Sequence, residues 1–350
     1  MNPGAPAHSP SVSVVIPCRD EGEFIQDLLD AVRAQDLPPT ETIVVDSGST
    51  DASVAIVEAY AARHPQMPLR LLRCARPGAA AAMNTGIRAA SGEVIVRIDG
   101  HSIPKPDYIR RAVAHLQEPK AGVVGGVWEI VPGANTLRAK AIALAVGSKL
   151  GSGGAAYRHS DARRTPTDVD TVPFGCYTRA LWKELNGYDD NLLVVEDGDF
   201  NYRVRQAGYR VILDPEIRCT YYPRRRFRTL GRQYLRYGWW KIPMLLAHPG
   251  AIRIRQIIPL GFVTSVLILA FSSAVVTIAK VLLFMLLALY GVAIVGAALP
   301  VARHARDLRL WPLVAGAYAV IHFAWGLGGL THLLTFGRWP AWRLPPSSNS

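Results

Sequence analysis

The chain has 350 residues, 50% apolar and 19% charged, with a net charge of +12 and a mean hydropathy of +0.15. These values exclude a disordered chain and a collagen-like repeat. The excess of base asks for an anionic partner: a nucleotide, a phospholipid surface or nucleic acid. Four cysteines, Cys18, Cys74, Cys176 and Cys219, lack CxxC spacing, which argues against a zinc site or a disulfide framework and fits reduced thiols.

Residues 1–10 are rich in Pro and Ala and carry neither the basic start nor the apolar core of a secretory signal. Residues 11–17 (SVSVVIP) form a short β-branched run closed by Pro, which predicts a buried strand. Residues 23–35 place Phe24, Ile25, Leu28, Leu29 and Val32 at helical spacing. Strands are expected at 42–45, 69–72 and 94–98, and helices at 52–63 and 79–90. Such alternation predicts a mostly parallel sheet with helices on both faces, and ligands bind at the carboxyl ends of its strands.

Four polar motifs fall at those ends. The first holds Pro17, Arg19, Asp20 and Glu21, where backbone amides can meet a nucleotide. The second is DSGSTD, in which Asp46 offers an acceptor pair for a base N–H and Ser49 or Thr50 can cap the next helix. A plain capped turn would read the same way in isolation. The third pairs Arg76, suited to phosphate, with small residues through Asn84 and Gly86 that let a helix start approach a ligand. The fourth puts Asp99 and His101 at i and i+2. A divalent ion on a diphosphate needs only one or two protein ligands, and His favours Mn²⁺ over Mg²⁺.

In this order and spacing the motifs resemble the family 2 glycosyltransferases, inverting enzymes with a nucleotide-diphosphosugar-binding (GT-A) fold. SVVIPCRDE resembles the family's VVIPxxNE opening, with Asp20 in place of Asn, and DSGSTD resembles D[DS]GSxD. Asp99-Gly100-His101 stands where the family keeps Asp-x-Asp. The resemblance covers residues 11–245. The RIDGHS, PFGCYTRA and RQYLRYGWWK stretches are most similar to the ExoA-type glucosyltransferases of succinoglycan biosynthesis.

The resemblance implies a Rossmann-like mixed sheet of the GT-A kind. It also implies a donor site built from Pro17, Arg19, Glu21, Asp46, Ser49, Arg76, Asn84 and Asp99, and a metal (Mn²⁺ or Mg²⁺) on Asp99 and His101. Asp197 would be the general base that takes the acceptor hydroxyl's proton. Glu196 and Asp197 could equally be dipole partners of a helix start. Gly175, Glu196, Arg224, Arg225, Arg226, Gln233 and Arg236 are candidates for acceptor and diphosphate contacts. The processive QxxRW motif is absent, since Gln233 leads only to Tyr234-Leu235-Arg236-Tyr237, and this favours a single sugar addition.

Residues 256–279 and 281–302 carry no charged side chain, with Lys280 between them. Roughly 20 apolar residues cross a bilayer, so residues 257–300 suit two spans joined by a tight turn. A third run, 311–337, is Gly-rich and reads as a weaker or re-entrant segment. Residues 203–255 hold thirteen Lys and Arg against two acids, and Arg303, Arg306 and Arg309 follow the second span. Basic flanks on both ends place them in the cytoplasm. Aromatics among these bases point to a lipid interface, not to nucleic acid.

The expected organisation is a tail (1–10), a catalytic domain (11–220), a basic and aromatic juxtamembrane segment (221–255), a membrane region (256–337) and a second tail (338–350). The function implied is glucose transfer from a UDP-sugar to a polyprenyl-diphosphate-linked oligosaccharide at the bacterial inner membrane, with polysaccharide-assembly partners. Transfer to polyprenyl monophosphate and a non-catalytic role in a polysaccharide machine are the alternatives.

Overall fold

The computed structural model describes residues 10–159 and 165–335, so Arg338, Arg343 and nearly all of both expected tails lie outside the described residues. The chain divides into two compact units, one of residues 1–128 and 160–220, the other of 129–159 and 221–350. The stretch 129–159, expected within the catalytic domain, thus groups with the C-terminal helices.

The first unit runs β1 (Val12–Cys18), α1 (Ile25–Arg33), β2 (Glu41–Asp46), α2 (Ser53–Arg63), β3 (Leu69–Arg73), α3 (Ala79–Ala89), β4 (Val94–Arg97), β5 (Ser102–Pro104), α4 (Tyr108–His115) and β6 (Ala121–Ile130). The second unit then contributes α5 (Leu137–Gly147) and α6 (Lys149–Ser152). The first resumes with β7 (Thr167–Asp168), β8 (Cys176–Thr178), α7 (Arg179–Glu184), α8 (Glu196–Gln206) and β9 (Arg210–Tyr221). Last come α9 (Phe227–Ala247), α10 (Ile254–Ser272), α11 (Thr277–His304) and α12 (Trp311–Leu334).

The sheet order is β3-β2-β1-β4-β8-β6-β9-β5, with β7 paired to β9. The first four strands are parallel, and β8 runs antiparallel to β4 and β6. The sheet is therefore mixed. β1 is buried along nearly its whole length because VSVVIPC presents apolar side chains to both faces. α1 buries Ile25, Leu28, Leu29 and Val32, the stripe set by its i, i+3, i+4, i+7 spacing. Each such side chain contributes about 1.5–3 kcal/mol on burial. The chain builds outward from β1 to β3, then crosses back to place β4 on the other side of β1. In open sheets of this kind ligands bind at such a reversal, here the carboxyl ends of β1 and β4.

The second unit is helical. Its core joins Ile142, Leu230, Tyr234, Ala302, Val314 and Tyr318. Three helical segments, Ile254–Ser272, Thr277–His304 and Leu308–Leu334, have the length and composition to cross a membrane. The third run, in its described part, is one continuous helix. Two glycines serve its packing against α9: a Cβ on Gly328 of α12 would lie 2.0 Å from the Leu235 carbonyl, and one on Gly238 of α9 would lie 2.1 Å from the Trp325 carbonyl. Small residues let two helix backbones touch.

Candidate active site

The loops after β1 and β2 are laced together. Cys18 and Asp46 are register partners at the strand ends. Beyond them, the Asp20 amide donates to Ser49 Oγ (3.0 Å), the Glu21 amide to Ser53 Oγ (2.8 Å) and the Gly22 amide to Asp51 Oδ2 (2.9 Å). The Thr50 amide returns a bond to Asp20 Oδ1 (2.6 Å). Asp46 folds back on its own turn, accepting from the Gly48 and Ser49 amides at 3.2 and 3.0 Å. Ser49 and Thr50 therefore do not cap α2, as their sequence position suggested; both are engaged by the first loop. Asp20 sits at φ +55, a region that Asn and Asp tolerate better than most residues. Burial, with the charges of Glu21 and Asp46 beside it, pushes the Cys18 thiol up to about 12, so it stays protonated.

At the end of β4 the polypeptide turns through Asp99-Gly100-His101. His101 Nδ1 lies 3.0 Å from Glu21 Oε1, which joins the first loop to this turn. Gly100 is needed there, because a Cβ would lie 2.6 Å from Glu21 Cγ. Arg97, the last residue of β4, is 4% exposed. Its Nε donates to Asp99 Oδ1 (2.8 Å), and its Nη2 to Asp99 Oδ2 (3.2 Å) and to Glu196 Oε1 (2.7 Å). Burial alone would lower the Arg97 pKa, but the Asp99 and Glu196 carboxylates overcome it and hold the guanidinium charged. Burial pushes Glu196 up, to about 7; the Arg97 cation opposes this, and the Asp197 and Asp99 charges add to it.

Glu196 and Asp197 open α8 directly after Val195, a β-branched residue at φ +64. Such a conformation costs of order 1–3 kcal/mol and clusters at functional sites. Asp197 lines a small cavity with Arg97, Gly175, Tyr177, Tyr188 and Asn201. Tyr177 and Tyr188 meet hydroxyl to hydroxyl at 2.9 Å, and the Asn201 amide donates to Thr171 Oγ1 and the Val172 carbonyl. The structure thus brings Asp99 and Glu196 onto Arg97 and sets Asp197 on the same cavity; the sequence shows Arg97 at the start of the RIDGHS stretch but gives it no role. Its signal was present: one charge ending the otherwise apolar strand VIVR.

Two expected donor contacts have other partners. Asn84 is buried, and its amide nitrogen donates to the Tyr188 carbonyl (2.8 Å) and Asp190 Oδ1 (2.6 Å). Its oxygen accepts from Trp182 Nε1 and the Tyr188 amide. Four bonds saturate the amide, so Asn84 holds the 186–190 loop instead of presenting a group to a ligand. Arg76 pairs with Asp190 at 3.1 Å while remaining largely exposed. Arg224, Arg225 and Arg226 precede α9 in the second unit, which also carries Gln233, bonded to Tyr237 OH at 2.9 Å, and Arg236.

A divalent ion fits the chemistry at the end of β4. Asp99 supplies a half-buried carboxylate, and His101 is oriented through Nδ1 by Glu21, as metal-binding imidazoles commonly are. Among the described residues no group of three or more His, Cys, Asp or Glu is placed to hold a metal, so an ion here would draw its remaining ligands from phosphate and water.

A mixed sheet with an acid-lined switch point, followed by long apolar helices, defines a membrane-associated GT-A glycosyltransferase. The pattern of glycosyl transferase family 2 matches residues 13–185. The succinoglycan biosynthesis protein ExoA of Rhizobium meliloti (strain 1021) is 30% identical over 94% of this chain and 97% of its own length. The chain belongs to glycosyl transferase family 2. The dolichyl N-acetyl-alpha-D-glucosaminyl phosphate 3-beta-D-2,3-diacetamido-2,3-dideoxy-beta-D-glucuronosyltransferase of Methanococcus voltae is 25% identical, over 72% of this chain and 78% of that one. Among solved structures, the mannosyltransferase PcManGT of Pyrobaculum calidifontis, in complex with GDP-Man and Mn²⁺, superposes with a TM-score of 0.60 at 24% identity, covering 93% of this chain and 88% of its own. GalNAc-T7 with UDP, GalNAc and Mn²⁺ gives 0.50 at 15%, covering 70% and 52%. These two show the fold.

Proposed function

We propose that this enzyme transfers one glucose from UDP-glucose, with inversion, to a polyprenyl-diphosphate-linked oligosaccharide at the cytoplasmic face of a bacterial inner membrane, in exopolysaccharide synthesis. The observation that carries the reading is the pairing of Asp99 and Glu196 on one guanidinium at the switch point of the sheet, with Asp197 lining the same cavity as that guanidinium. Asp99 and His101 would hold a divalent ion, which when bound supplies positive charge to a diphosphate leaving group. The base and sugar-phosphate face the ends of β1 and β2, near Pro17, Arg19, Glu21 and Asp46. Asp197 removes the proton of the acceptor hydroxyl as its oxygen attacks the anomeric carbon opposite the diphosphate. The Gly175 edge, where the Arg97 amide bonds the Gly175 carbonyl at 3.1 Å, fixes the wall against which Asp197 stands.

The relatives' names support the acceptor class, one belonging to succinoglycan biosynthesis and one acting on a dolichyl-linked sugar phosphate. Basic residues around the apolar helices support the cytoplasmic orientation. The test is a screen of radiolabelled UDP- and GDP-sugars with purified membranes and MnCl₂. Label from UDP-glucose should enter butanol-extractable lipid-linked oligosaccharide. Label entering lipid in membranes stripped of lipid-linked oligosaccharide would instead show a polyprenyl monophosphate acceptor. No transfer from any donor would leave a non-catalytic subunit.

A further inference from the structure

Arg97 carries more hydrogen-bonding capacity than its partners use. Nε and Nη2 are engaged by Asp99 and Glu196, yet Nη1 is buried and has no hydrogen-bond partner among the described residues. A charged donor left buried and unbonded destabilises the fold by the full desolvation penalty of that group. Its surroundings explain why it is kept. The guanidinium lines the same cavity as Asp197, with Tyr188 beneath it (5.9 Å to the ring centroid) and Gly175 beside it. The cavity is partly open and has room, about 10 Å³, for a single water-sized group.

The fork on Asp99 and the bond to Glu196 fix the guanidinium plane, so Nη1 cannot swing to another acceptor without breaking both. Lys would not reproduce this, since an ammonium pairs as a point charge without a planar fork.

We propose that Arg97 Nη1 donates a hydrogen bond to a hydroxyl of the sugar being transferred, making Arg97 a determinant of donor-sugar specificity. The inference rests on the reading above, in which Asp99 marks the diphosphate end and Asp197 the acceptor end. The group that lies between a leaving diphosphate and an attacking hydroxyl is the sugar ring, and Arg97 is bonded to the first of those carboxylates and lines a cavity with the second. One hydroxyl filling a water-sized space against a charge-assisted donor is the kind of contact that rejects an analogue lacking it, because the buried donor is then left unbonded.

The experiment is a cycle on membrane-embedded, full-length enzyme. UDP-glucose and its 2-, 3-, 4- and 6-deoxy analogues are compared as donors for the wild type and for Arg97→Lys, with UDP affinity measured by calorimetry on each. In the wild type, one analogue should lose at least tenfold in kcat/KM relative to the parent, with the others within about threefold. In Arg97→Lys the parent rate falls, and that one analogue and the parent should differ by less than threefold while UDP affinity holds. Four analogues all within threefold of the parent in the wild type would overturn the proposal without any variant, and so would discrimination that persists in Arg97→Lys. If Arg97→Lys does not fold, the same comparison is made on Arg97→Gln, where loss of the discrimination supports the proposal and its persistence overturns it. Absence of transfer from UDP-glucose alongside transfer from another nucleotide sugar would refute the donor assigned above, and the same comparison on that sugar's deoxy series would then decide the role of Arg97.

Discussion

Asp20, Asp46 and Asp51 accept hydrogen bonds from backbone amides of the two loops in which they sit, whereas Asp99 and Glu196 share one buried guanidinium. Both groups are acidic and both lie in the first unit. The first group shapes its loops: each carboxylate replaces a turn or cap that the backbone would otherwise lack. The second concentrates charge: Asp99 and Glu196 pair with a single cation, and Asp197, which accepts from the Gly198 amide, lines the cavity beside it. Acid count at a strand end is therefore a poor guide to chemistry; the partner of each carboxylate separates scaffolding from reactive charge.

The sharpest way to break that contrast is Asp197→Asn. If the carboxylates around Arg97 are the reactive ones, transfer falls by about 10²–10⁴-fold while calorimetry finds UDP affinity within twofold of wild type. Turnover within a few-fold of wild type would remove Asp197 from the role of base. Asn84→Ala tests the scaffolding side. It strands the Tyr188 amide, Trp182 Nε1 and the Tyr188 carbonyl, so a thermal melt should show a loss of about 2–3 kcal/mol with unchanged UDP affinity. A folded variant that binds UDP tenfold more weakly would restore Asn84 to the donor site.

A carboxylate far from the crevice supplies the pH test. At the other end of the parallel strands, Glu41 accepts from the Ser91 amide and hydroxyl, Ser13 and Arg70. Burial would raise its pKa, but those bonds outweigh it and bring it down to about 2. A depressed carboxylate stabilises the fold fully above its unfolded value near 4.5 and ceases to do so as pH falls through 2, an effect on the order of 3 kcal/mol. The acid limb of a melt-versus-pH curve should flatten in Glu41→Gln; an unaltered limb would assign acid lability to other groups. The smallest effect is expected from Asp20→Asn. Asn offers Thr50 the same acceptor and adopts positive φ readily, so stability should stay within about 0.5 kcal/mol and transfer within twofold. A tenfold loss in the same assay would show that charge, not shape, matters at position 20.

Much of the first unit was legible in the sequence because its elements are local. The β-branched run of β1 and the apolar spacing of α1 need no distant partner to be read, and the strand-end motifs follow from them. Partners far along the chain were harder to see. Asn84 looked like a donor contact until Tyr188 and Asp190, over a hundred residues away, were found on its amide. Arg97 stands in the RIDGHS stretch without a role of its own; only the return of α8 shows that it is buried between acids. The third apolar run looked weak because its glycines lower hydropathy, and hydropathy carries no record of which helix lies against them.

The contact of Gly238 and Gly328 with facing carbonyls has a mechanical consequence. Two helices joined main chain to main chain behave as one strut, so the aromatic and basic helix α9 shares the depth of α12, which has the make-up to traverse the bilayer. A bulkier residue at either position would wedge the strut apart. The position of Tyr237, Trp239 and Trp240 along α12 is thereby set by steric fit between backbones.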